Sequence, residues 1–297
     1  MPELSICIVT LNTRQCLRGC LDSLAAHPSS LPTEVIVVDN ASSDGTQAML
    51  AAEYPHVTLI QNDKNEGFAR PSNQAMRAAS GRYLLLLNPD TLVHADALDA
   101  LVAFLEQHPE AGIVGPKVLN RDGSLQMACR RGIPRPGAMI SYFLKLHRLF
   151  PRNRRFGGYL LNYLGEDETQ LVDGVSGSCM LVRRSAAEQA GYFDEQFFAY
   201  QEDADFCFQV QRLGWKVYYH PAAHITHFGG QGGSRAQPYR AIYEWHRSYY
   251  RYYRKNLARD YCVVFNGFYY ALMFLKLLLS LFINLLRREK HPGPRRG

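Results

Sequence analysis

Three short segments of the chain carry residue types and positions that active sites use. Asn88-Pro89-Asp90 directly follows the apolar run Tyr83–Leu87, so a predicted buried strand brings a carboxylate to the carboxyl edge of a sheet, where open α/β sheets bind their ligands. Glu202-Asp203-Ala204-Asp205 opens a predicted helix far downstream, and His224-Ile225-Thr226-His227 follows after one helix and one strand. Together the three segments indicate a metal-binding carboxylate, a general base and a metal-binding imidazole.

The elements that position these segments alternate along the chain. Apolar runs at Leu4–Thr10, Glu34–Asp39, Val57–Gln61 and Tyr83–Leu87 predict four strands with helices between them. This βαβαβαβ order predicts an α/β fold built on a parallel sheet. Helices are predicted at Thr13–Ala26, Thr46–Glu53, Pro71–Ala79, Ala95–Gln107 and Asp203–Leu213, and further strands at Gly112–Leu119, Ser178–Arg183 and Trp215–Tyr219.

Composition divides the chain into a large domain and a tail. With 297 residues, 47% of them hydrophobic, the chain is long enough for one sizeable α/β domain and an appendage. Residues 238–297 hold 12 Lys/Arg against 3 Asp/Glu, whereas residues 1–237 hold 21 against 24. We therefore predict a catalytic domain at 1–237, with a proline- and arginine-rich insertion at about 130–165, and a basic tail at 238–297 that favours an anionic surface.

The tail contains a segment that a membrane would accept. Tyr239–Arg259 interleaves tyrosine, tryptophan and arginine, and Tyr261–Leu286 is then apolar for 26 residues with Lys276 as its one formal charge. A helix of that length extends about 39 Å, enough for a hydrocarbon core of roughly 30 Å. A narrow polar stripe on it, from Asn266 to Asn284, suits a helix in the membrane plane as well as a span.

The N-terminus and the cysteines indicate a compartment. Residues Met1 to Ser5 lack the basic region of a signal peptide and lead directly into the first predicted strand. The seven cysteines have no CxxC spacing, which predicts reduced thiols in the core. We therefore expect the catalytic domain to stay in the cytosol.

Each candidate residue also has a purely structural interpretation. Asp39, at the end of the second predicted strand, can accept hydrogen bonds from a ribose or a base, or it can cap the turn Asn40–Gly45. Gly67, in Asn65-Glu66-Gly67-Phe68, permits close approach of a phosphate to a helix start. Asp90 can bind Mg²⁺ or Mn²⁺ that bridges a diphosphate, or it can cap the next helix.

The acidic and histidine segments have similar alternatives. Glu202–Asp205 can simply complement a helix dipole, and His224 and His227 can be ordinary residues at a strand end. Two common nucleotide motifs are missing from the sequence, because neither GxGxxG after the first strand nor GxxxxGKS/T occurs. Dinucleotide-binding and P-loop functions therefore lose their main support.

In chain order these segments form a family pattern. The chain resembles glycosyltransferase family 2, the inverting nucleotide-sugar enzymes of GT-A fold, and especially its bacterial rhamnosyltransferase-like branch. The resemblance implies a Rossmann-like mixed, mostly parallel sheet flanked by helices, to which the apolar run Tyr261–Leu286 adds the membrane-associated helical tail predicted above. It covers about residues 4–255 and rests on these motifs together: Ile8-Val9-Thr10-Leu11-Asn12, the ten residues from Val37 to Thr46, Asn65-Glu66-Gly67-Phe68-Ala69, Leu87-Asn88-Pro89-Asp90-Thr91, Gly191-Tyr192-Phe193-Asp194-Glu195, and the nine residues from Phe197 to Asp205.

The resemblance assigns residues to the donor nucleotide. It implies that Thr10, Asn12 and Asp39 hold the nucleoside. It also implies that Asn65 and Gly67 line the nucleotide pocket.

The resemblance also implies a metal site and a base. Asn88-Pro89-Asp90 stands where the family carries its Asp-x-Asp motif, which implies that Asp90 binds the metal. Asn88 replaces the first carboxylate of that motif and is expected to contact the nucleotide-sugar donor. His227 matches the histidine that completes the metal site. Asp203, the second residue of the Glu202-Asp203 pair, matches the catalytic base.

A reaction and its partners follow from the resemblance. Asp203 takes the proton of an acceptor hydroxyl as its oxygen attacks the anomeric carbon of a nucleotide-diphosphate sugar, which inverts that carbon in one displacement. A divalent metal, Mg²⁺ or Mn²⁺, neutralises the leaving diphosphate. The donor is a hexose or deoxyhexose, with dTDP-L-rhamnose as the leading candidate, and the acceptor is a cell-envelope glycan on a lipid carrier. The tail then places the enzyme on the cytoplasmic face of the plasma membrane.

Two alternatives belong to other classes. Tyr249–Lys255 mixes tyrosines with basic residues that suit bases and phosphates, as in a nucleic-acid-binding or scaffold protein. That interpretation assigns no function to Asp90, Asp203 and His227, and the neighbouring apolar run indicates contact with lipid. We therefore expect no nucleic-acid partner. A nucleotide-sugar hydrolase, or an inactive transferase retained for binding, is the second alternative.

Overall fold

The computed structural model of the chain describes residues 2–230 and 237–289. The predicted strands and helices of the first half begin and end within two residues of the observed ones. The strands are β1 (Leu4–Thr10), β2 (Thr33–Asp39), β3 (Thr58–Gln61), β4 (Tyr83–Leu87), β5 (Thr91–Val93), β6 (Ala111–Leu119), β7 (Arg130–Arg131), β8 (Gln170–Leu171), β9 (Gly174–Val175), β10 (Cys179–Arg183) and β11 (Lys216–His227). The helices are α1 (Arg14–Ala26), α2 (Thr46–Glu53), α3 (Ala69–Ala78), α4 (Ala97–Gln107), α5 (Pro136–Phe143), α6 (Leu146–Leu149), α7 (Arg184–Ala190), α8 (Glu202–Arg212), α9 (Pro238–Asn256) and α10 (Val263–Glu289).

A nine-stranded sheet forms the centre of the molecule. Its order is β3-β2-β1-β4-β10-β6-β11-β5, with β8 paired to β11 off this path. β1 runs parallel to β2 and β4, and β2 runs parallel to β3, so the parallel arrangement predicted for the first four strands is confirmed. All five residues of β4 are buried, as expected for a parallel strand covered on both faces. The mixed, mostly parallel α/β sheet implied by the family resemblance is present.

β10 is one of the strands that make the sheet mixed, because it enters the sheet from the carboxyl edge. Cys179, its first residue, pairs with Leu87, the last residue of β4, and Arg183 pairs with Tyr83. β10 is therefore antiparallel to both of its neighbours, β4 and β6. The chain leaves β6 at the carboxyl edge of the sheet, passes through the insertion, and returns into the sheet from that same edge.

β11 is longer than the strand predicted for this region. It continues to His227, with a shift in its pairing to β6 between His220 and His224. Pro221 lies in the shifted segment and has no N–H to donate to the sheet, so the strand pattern of the sequence stops there although the strand resumes. The extension pairs His227 with Thr91, directly after Asp90.

Most of the cysteines belong to the apolar core of the molecule. All seven are free thiols, and five of them are buried. Burial raises the pKa of Cys7, Cys20 and Cys207 to about 12, so these thiols stay protonated and unreactive at neutral pH. Their role is packing, in agreement with the prediction of reduced core thiols.

Helix α9, the first part of the predicted tail, packs against the large domain. The side chains of Tyr249, Tyr252 and Tyr253 are buried. Nζ of Lys255 lies 2.8 Å from Oδ2 of Asp205 in α8, which ties the end of α9 to the acidic segment. Because the buried tyrosine rings are not available to stack on bases, the nucleic-acid alternative loses its main support.

Helix α10 runs antiparallel to α9 and turns its polar stripe toward it. Asn266 accepts a hydrogen bond from Tyr253, and Oγ of Ser280 lies 3.5 Å from Nε2 of His246. The opposite face of α10 is apolar and exposed over most of its length. Among the described helices, Val263–Leu286 is the one that is long and apolar enough to cross a membrane, judged by length and composition alone.

Candidate active site

A cavity of about 550 Å³ lies at the carboxyl edge of the sheet. Thr10 at the end of β1, the Asn88–Asp90 turn after β4 and His227 at the end of β11 line it. Glu202 and Asp203, at the start of α8, line it as well. The structure therefore brings the residues predicted to bind a metal and those predicted to move a proton into one cavity.

Asp90 and His227 lie side by side in this cavity. Nε2 of His227 is 3.2 Å from Oδ1 of Asp90 and 3.3 Å from Nδ2 of Asn88. On the other side of the ring, Nδ1 lies 2.8 Å from Oε1 of Gln126, whose amide nitrogen donates to Oδ1 of Asn120 at 3.2 Å. In the tautomer that carries its proton on Nδ1, the Gln126 oxygen accepts that proton and the lone pair of Nε2 faces the carboxylate.

The donor set formed by Asp90 and His227 fits a divalent cation. A carboxylate oxygen and an imidazole nitrogen lone pair repel each other at this distance unless a cation or a proton is shared between them. Within residues 2–230 and 237–289, no group of three or more His, Cys, Asp or Glu side chains is arranged to hold a metal. Magnesium sites that handle phosphates often use only one or two carboxylates and complete their shell with water and substrate. The pair therefore fits a metal that the substrate helps to bind.

Three hydrogen bonds hold Asp203 at the start of α8. Its Oδ2 accepts from Nη2 of Arg131 at 2.6 Å and from the N–H of Gly177 at 3.0 Å, and its Oδ1 accepts from the N–H of Ala204 at 2.7 Å. Burial alone would lower the pKa of Arg131, but the adjacent Asp203 carboxylate raises it above its ordinary value. This charge-assisted pair fixes the orientation of the carboxylate in the cavity wall.

Glu202 has a different environment from its neighbour Asp203. Only 6% of Glu202 is exposed, and its Oε2 has no hydrogen-bond partner within the described chain. Gln201, 4% exposed, has an unpartnered Oε1 in the same part of the cavity wall. Burial, followed by the charge of Asp203, raises the pKa of Glu202 to about 8. Buried polar atoms normally have partners, so both positions suit a hydrogen bond to a bound ligand.

The raised pKa predicts that Glu202→Gln stabilises the protein more at pH 8 than at pH 5. Between the ordinary pKa of 4.5 and about 8, the unfolded chain is ionised at this position whereas the folded protein keeps the proton. The wild type then loses up to about 1.4 kcal/mol of unfolding free energy per pH unit from this residue, and the variant does not. Urea unfolding at the two pH values measures the difference. An equal effect of the substitution at both would contradict the raised pKa.

The Asn65–Phe68 loop is held against the segment that precedes α8. Gly67 has a φ of +88°, and a Cβ at this position would lie 2.2 Å from the carbonyl oxygen of Phe198. The N–H of Phe68 donates to the same oxygen at 2.6 Å, and Oδ1 of Asn65 accepts from the N–H of Gly67 at 2.9 Å. The close approach that requires glycine here is therefore to Phe198, while Asn65 and Gly67 both line the cavity.

Asn12 and Asp39 do not line the cavity; they hold the turn between β2 and α2. Asp39 is fully buried and accepts hydrogen bonds from Nε2 of Gln47 at 2.6 Å and from the N–H of Ser42 at 3.2 Å. Oδ1 of Asn12 accepts from the N–H of Ser43 at 2.7 Å. For Asp39 these contacts match the turn-capping alternative. A nucleoside-binding role for either residue stays a prediction.

Several residues that line the cavity carry no sequence motif. Arg131 belongs to the insertion, 72 positions before Asp203, and Arg240, Glu244 and Trp245 belong to the first turns of α9. The arginine-rich composition of the insertion was the available signal for Arg131. The α9 residues could be recognised only as part of a basic, aromatic tail. That composition does not indicate that the tail lines the active site.

The sequence matches a family model over much of its length. Residues 5–191 match the model of glycosyl transferase family 2. The chain belongs to this family. Over 211 residues this family 2 protein is 33% identical to N-acetylglucosaminyl-diphospho-decaprenol L-rhamnosyltransferase of Mycobacterium tuberculosis, a match that covers 66% of each protein. The rhamnosyltransferase-like branch is thereby supported, and the chain spans just under two thirds of the relative's length.

Solved structures share the GT-A fold of this family 2 protein. The mannosyltransferase PcManGT from Pyrobaculum calidifontis, in complex with GDP-Man and Mn²⁺, superposes with a TM-score of 0.59 at 19% identity, covering 99% of this chain and 76% of that one. GalNAc-T7 with UDP, GalNAc and Mn²⁺ gives a TM-score of 0.60 at 15% identity, covering 86% and 48%. At these identities the likeness establishes the fold alone.

Proposed function

We propose that this family 2 protein transfers a hexose or deoxyhexose from a nucleotide-diphosphate sugar to a cell-envelope glycan on a lipid carrier, with inversion at the anomeric carbon. The proposal rests on one observation. A single cavity at the ligand edge of a GT-A sheet holds the oriented carboxylate of Asp203 together with the Asp90–His227 pair. Family membership supports the same class of reaction.

In the proposed step Asp203 accepts the proton of the acceptor hydroxyl. The oxygen of that hydroxyl forms a bond to the anomeric carbon while the bond from this carbon to the diphosphate oxygen breaks, and the diphosphate leaves with the electron pair. Arg131 and the N–H of Gly177 keep the carboxylate in place during the transfer. Base catalysis of this kind contributes typically about 10²–10⁴-fold to the rate.

Asp90 and His227 are the residues that would hold a divalent metal, with Asn88 beside them. When bound, Mg²⁺ or Mn²⁺ neutralises negative charge on the leaving diphosphate. Gln126 serves this site by fixing the ring of His227, so that Nε2 stays directed at Asp90. The Mn²⁺ in the two solved GT-A structures supports a divalent metal in this chain.

Rhamnose is the donor sugar that similarity favours. The mycobacterial relative is named for L-rhamnose and for an acceptor sugar on a polyprenyl diphosphate. We test the function by incubating the protein and Mn²⁺ with dTDP-L-rhamnose, UDP-sugars and GDP-mannose in turn, with and without a prenyl-diphospho-N-acetylglucosamine. A glycosylated lipid product from one donor supports the proposal. Free sugar formed without acceptor indicates the hydrolase alternative, and donor binding without any product indicates the inactive one.

We further propose that α10 anchors the enzyme to the cytosolic face of an anionic membrane. Its apolar face is open, with 59% of Phe274, 60% of Leu275 and 56% of Phe282 exposed. Basic residues flank the helix in the sequence, with Arg254 and Arg259 before it and several more after it. Basic residues near an anionic surface each contribute about 1 kcal/mol to binding.

Substituting the exposed face should release the protein from vesicles. Each large apolar side chain that a membrane buries contributes about 1.5–3 kcal/mol, so the triple variant Phe274→Gln, Leu275→Gln and Phe282→Gln should fail to float with phosphatidylglycerol-containing vesicles that carry the wild type. Leu171→Gln with Leu213→Gln, on exposed sites elsewhere, is the matched control.

Deletion of residues 260–297 is a coarser version of the same test. It should move the protein to the soluble fraction and spare transfer to a short soluble acceptor. It also removes Tyr269, whose hydroxyl lies 2.6 Å from that of Tyr249, so the substitutions are the cleaner comparison. If the triple variant still floats after a high-salt wash, the tail is not the anchor and the insertion at 130–165 becomes the candidate.

A further inference from the structure

The first two turns of α9 form part of the cavity wall. Arg240, Glu244 and Trp245 line the cavity from adjacent turns of this helix. Tyr142 of α5 and Tyr159, both in the insertion, line it as well. None of these five residues belongs to the motifs that implied the donor, metal and base sites. This wall therefore has no role yet in the proposed reaction.

Trp245 presents a rigid aromatic surface to the cavity. Its ring meets that of Phe143 edge to face at 5.7 Å and stacks on Tyr249, also at 5.7 Å. The rings of Tyr142 and Tyr159 pack edge to face at 5.2 Å. Because neighbouring rings already hold these side chains, a ligand loses little free energy in ordering them. Fixed aromatic rings with few polar groups among them suit the apolar face of a sugar.

Within residues 2–230 and 237–289, Arg240 has no carboxylate partner. Its guanidinium carbon lies 4.4 Å from the centre of the Phe198 ring, and its Nη1 lies 3.4 Å from Oε1 of Gln237. Glu244, one turn further along, pairs with Nη1 of Arg247 at 2.8 Å, and no carboxylate of the described chain forms an ion pair with Arg240. An arginine in this position is a ready partner for a phosphate group.

Helix α10 brings an apolar surface to the same end of α9. Because the two helices are antiparallel, the C-terminal half of α10 lies beside the first turns of α9. Ser280 is 3.5 Å from His246, and Nζ of Lys276 lies 4.7 Å from the centre of the Phe143 ring, which itself contacts Trp245. Exposed apolar side chains continue along this half of α10. A ligand with a polar head in the cavity and an apolar chain outside it would meet one continuous surface.

We propose that this wall is the acceptor subsite for a sugar linked to a lipid diphosphate. The sugar ring lies on Trp245, a phosphate pairs with Arg240, and the apolar chain leaves along α10. The inference rests on the proposed transferase function and names the residues that recognise its acceptor. The nucleotide donor carries the same phosphate chemistry, so the test has to separate the two sources.

Arg240→Gln distinguishes the acceptor phosphate from the donor phosphate. With dTDP-L-rhamnose as donor, we expect the variant to raise KM for a short-chain prenyl-diphospho-N-acetylglucosamine roughly tenfold or more. The donor KM, and the KM for an N-acetylglucosamine glycoside without phosphate, should stay unchanged. Arg82→Gln is the control and should change none of the three, because Arg82 is exposed and lies directly before β4, at the opposite edge of the sheet from the cavity. A rise in the donor KM instead would assign Arg240 to the donor and overturn the proposal.

Trp245 gives a second test that does not need turnover. The chain has two tryptophans, and Trp215 donates its indole N–H to Gln189 at 3.0 Å, outside the cavity lining, so emission in Trp215→Phe reports Trp245. The prenyl-diphospho-N-acetylglucosamine should quench or shift this emission without any donor present. A response to dTDP and none to the lipid compound would overturn the proposal. Binding without transfer by the wild type would count against the proposed function and leave the subsite standing.

Discussion

Asp203→Asn should remove most sugar transfer while donor affinity stays close to that of the wild type. The carboxylate acts on the acceptor hydroxyl, and asparagine keeps its shape but cannot take the proton. We expect kcat to fall by about 10²–10⁴-fold, the usual contribution of a general base. Steady-state kinetics with saturating donor give kcat, and calorimetry gives the donor affinity. Turnover near the wild-type rate would remove Asp203 from the base position.

The environment of Asp203 sets the controls for this experiment. Asp203→Asn leaves the buried Arg131 guanidinium without its charged partner, which by itself destabilises a fold. The double variant Asp203→Asn with Arg131→Gln removes the unpaired charge, so it should recover stability without recovering transfer. Glu202→Gln changes the adjacent carboxyl and should cost less activity, because the buried Glu202 side chain holds its proton at neutral pH.

Asp90→Ala should weaken binding of the nucleotide diphosphate in the presence of Mn²⁺ roughly 100-fold and leave nucleoside binding nearly unchanged. A bound divalent ion contributes several kcal/mol through the diphosphate charge, and each 1.4 kcal/mol is about tenfold in affinity. Calorimetry with dTDP and with thymidine separates the two effects. Transfer should stop in EDTA and return with Mn²⁺, and full activity in the chelator would rule the metal out.

Histidine variants test which imidazole belongs to this site. His227→Ala should lower the affinity for Mn²⁺, measured directly by electron paramagnetic resonance, whereas His224→Ala should not, because His224 lines a separate cavity with His94. Gln126→Ala should lower Mn²⁺ affinity about 10–100-fold by releasing the ring of His227. If His227→Ala left the Mn²⁺ affinity unchanged and His224→Ala lowered it, the assignment would be reversed.

Local sequence patterns were sufficient for the first half of the fold. β1 to β4 and their helices follow apolar runs and caps that lie within each segment, so their type and order could be predicted. The direction of β10 depends on where the long insertion leaves the chain, and no pattern within Cys179–Arg183 encodes that. The second half of β11 was not predicted because Pro221 interrupts it, and a proline normally ends a strand pattern.

The candidate site shows the same division between local and distant information. Asp90 could be predicted to lie at the carboxyl edge because it directly follows the apolar run of β4, whereas His227 was placed beside it only by the family resemblance. Arg131 could not be predicted to lie there, since its partner Asp203 is 72 positions away and the two meet only through packing of the insertion. Trp245 was assigned to a membrane-associated tail because of the basic and aromatic composition of that segment. Composition indicates which kind of surface a segment can contact, but it does not show that the segment packs against the active site.

A nascent chain that has reached Leu87 cannot yet complete the sheet. The strand that covers the second edge of β4 is Cys179–Arg183, which leaves the ribosome on the order of 90 residues later. Until then the hydrogen-bonding groups of Tyr83–Leu87, a strand of one tyrosine and four leucines, are open to pairing with other chains. We therefore expect fragments that end before Cys179 to aggregate, and chaperones to limit aggregation while this interval is synthesised.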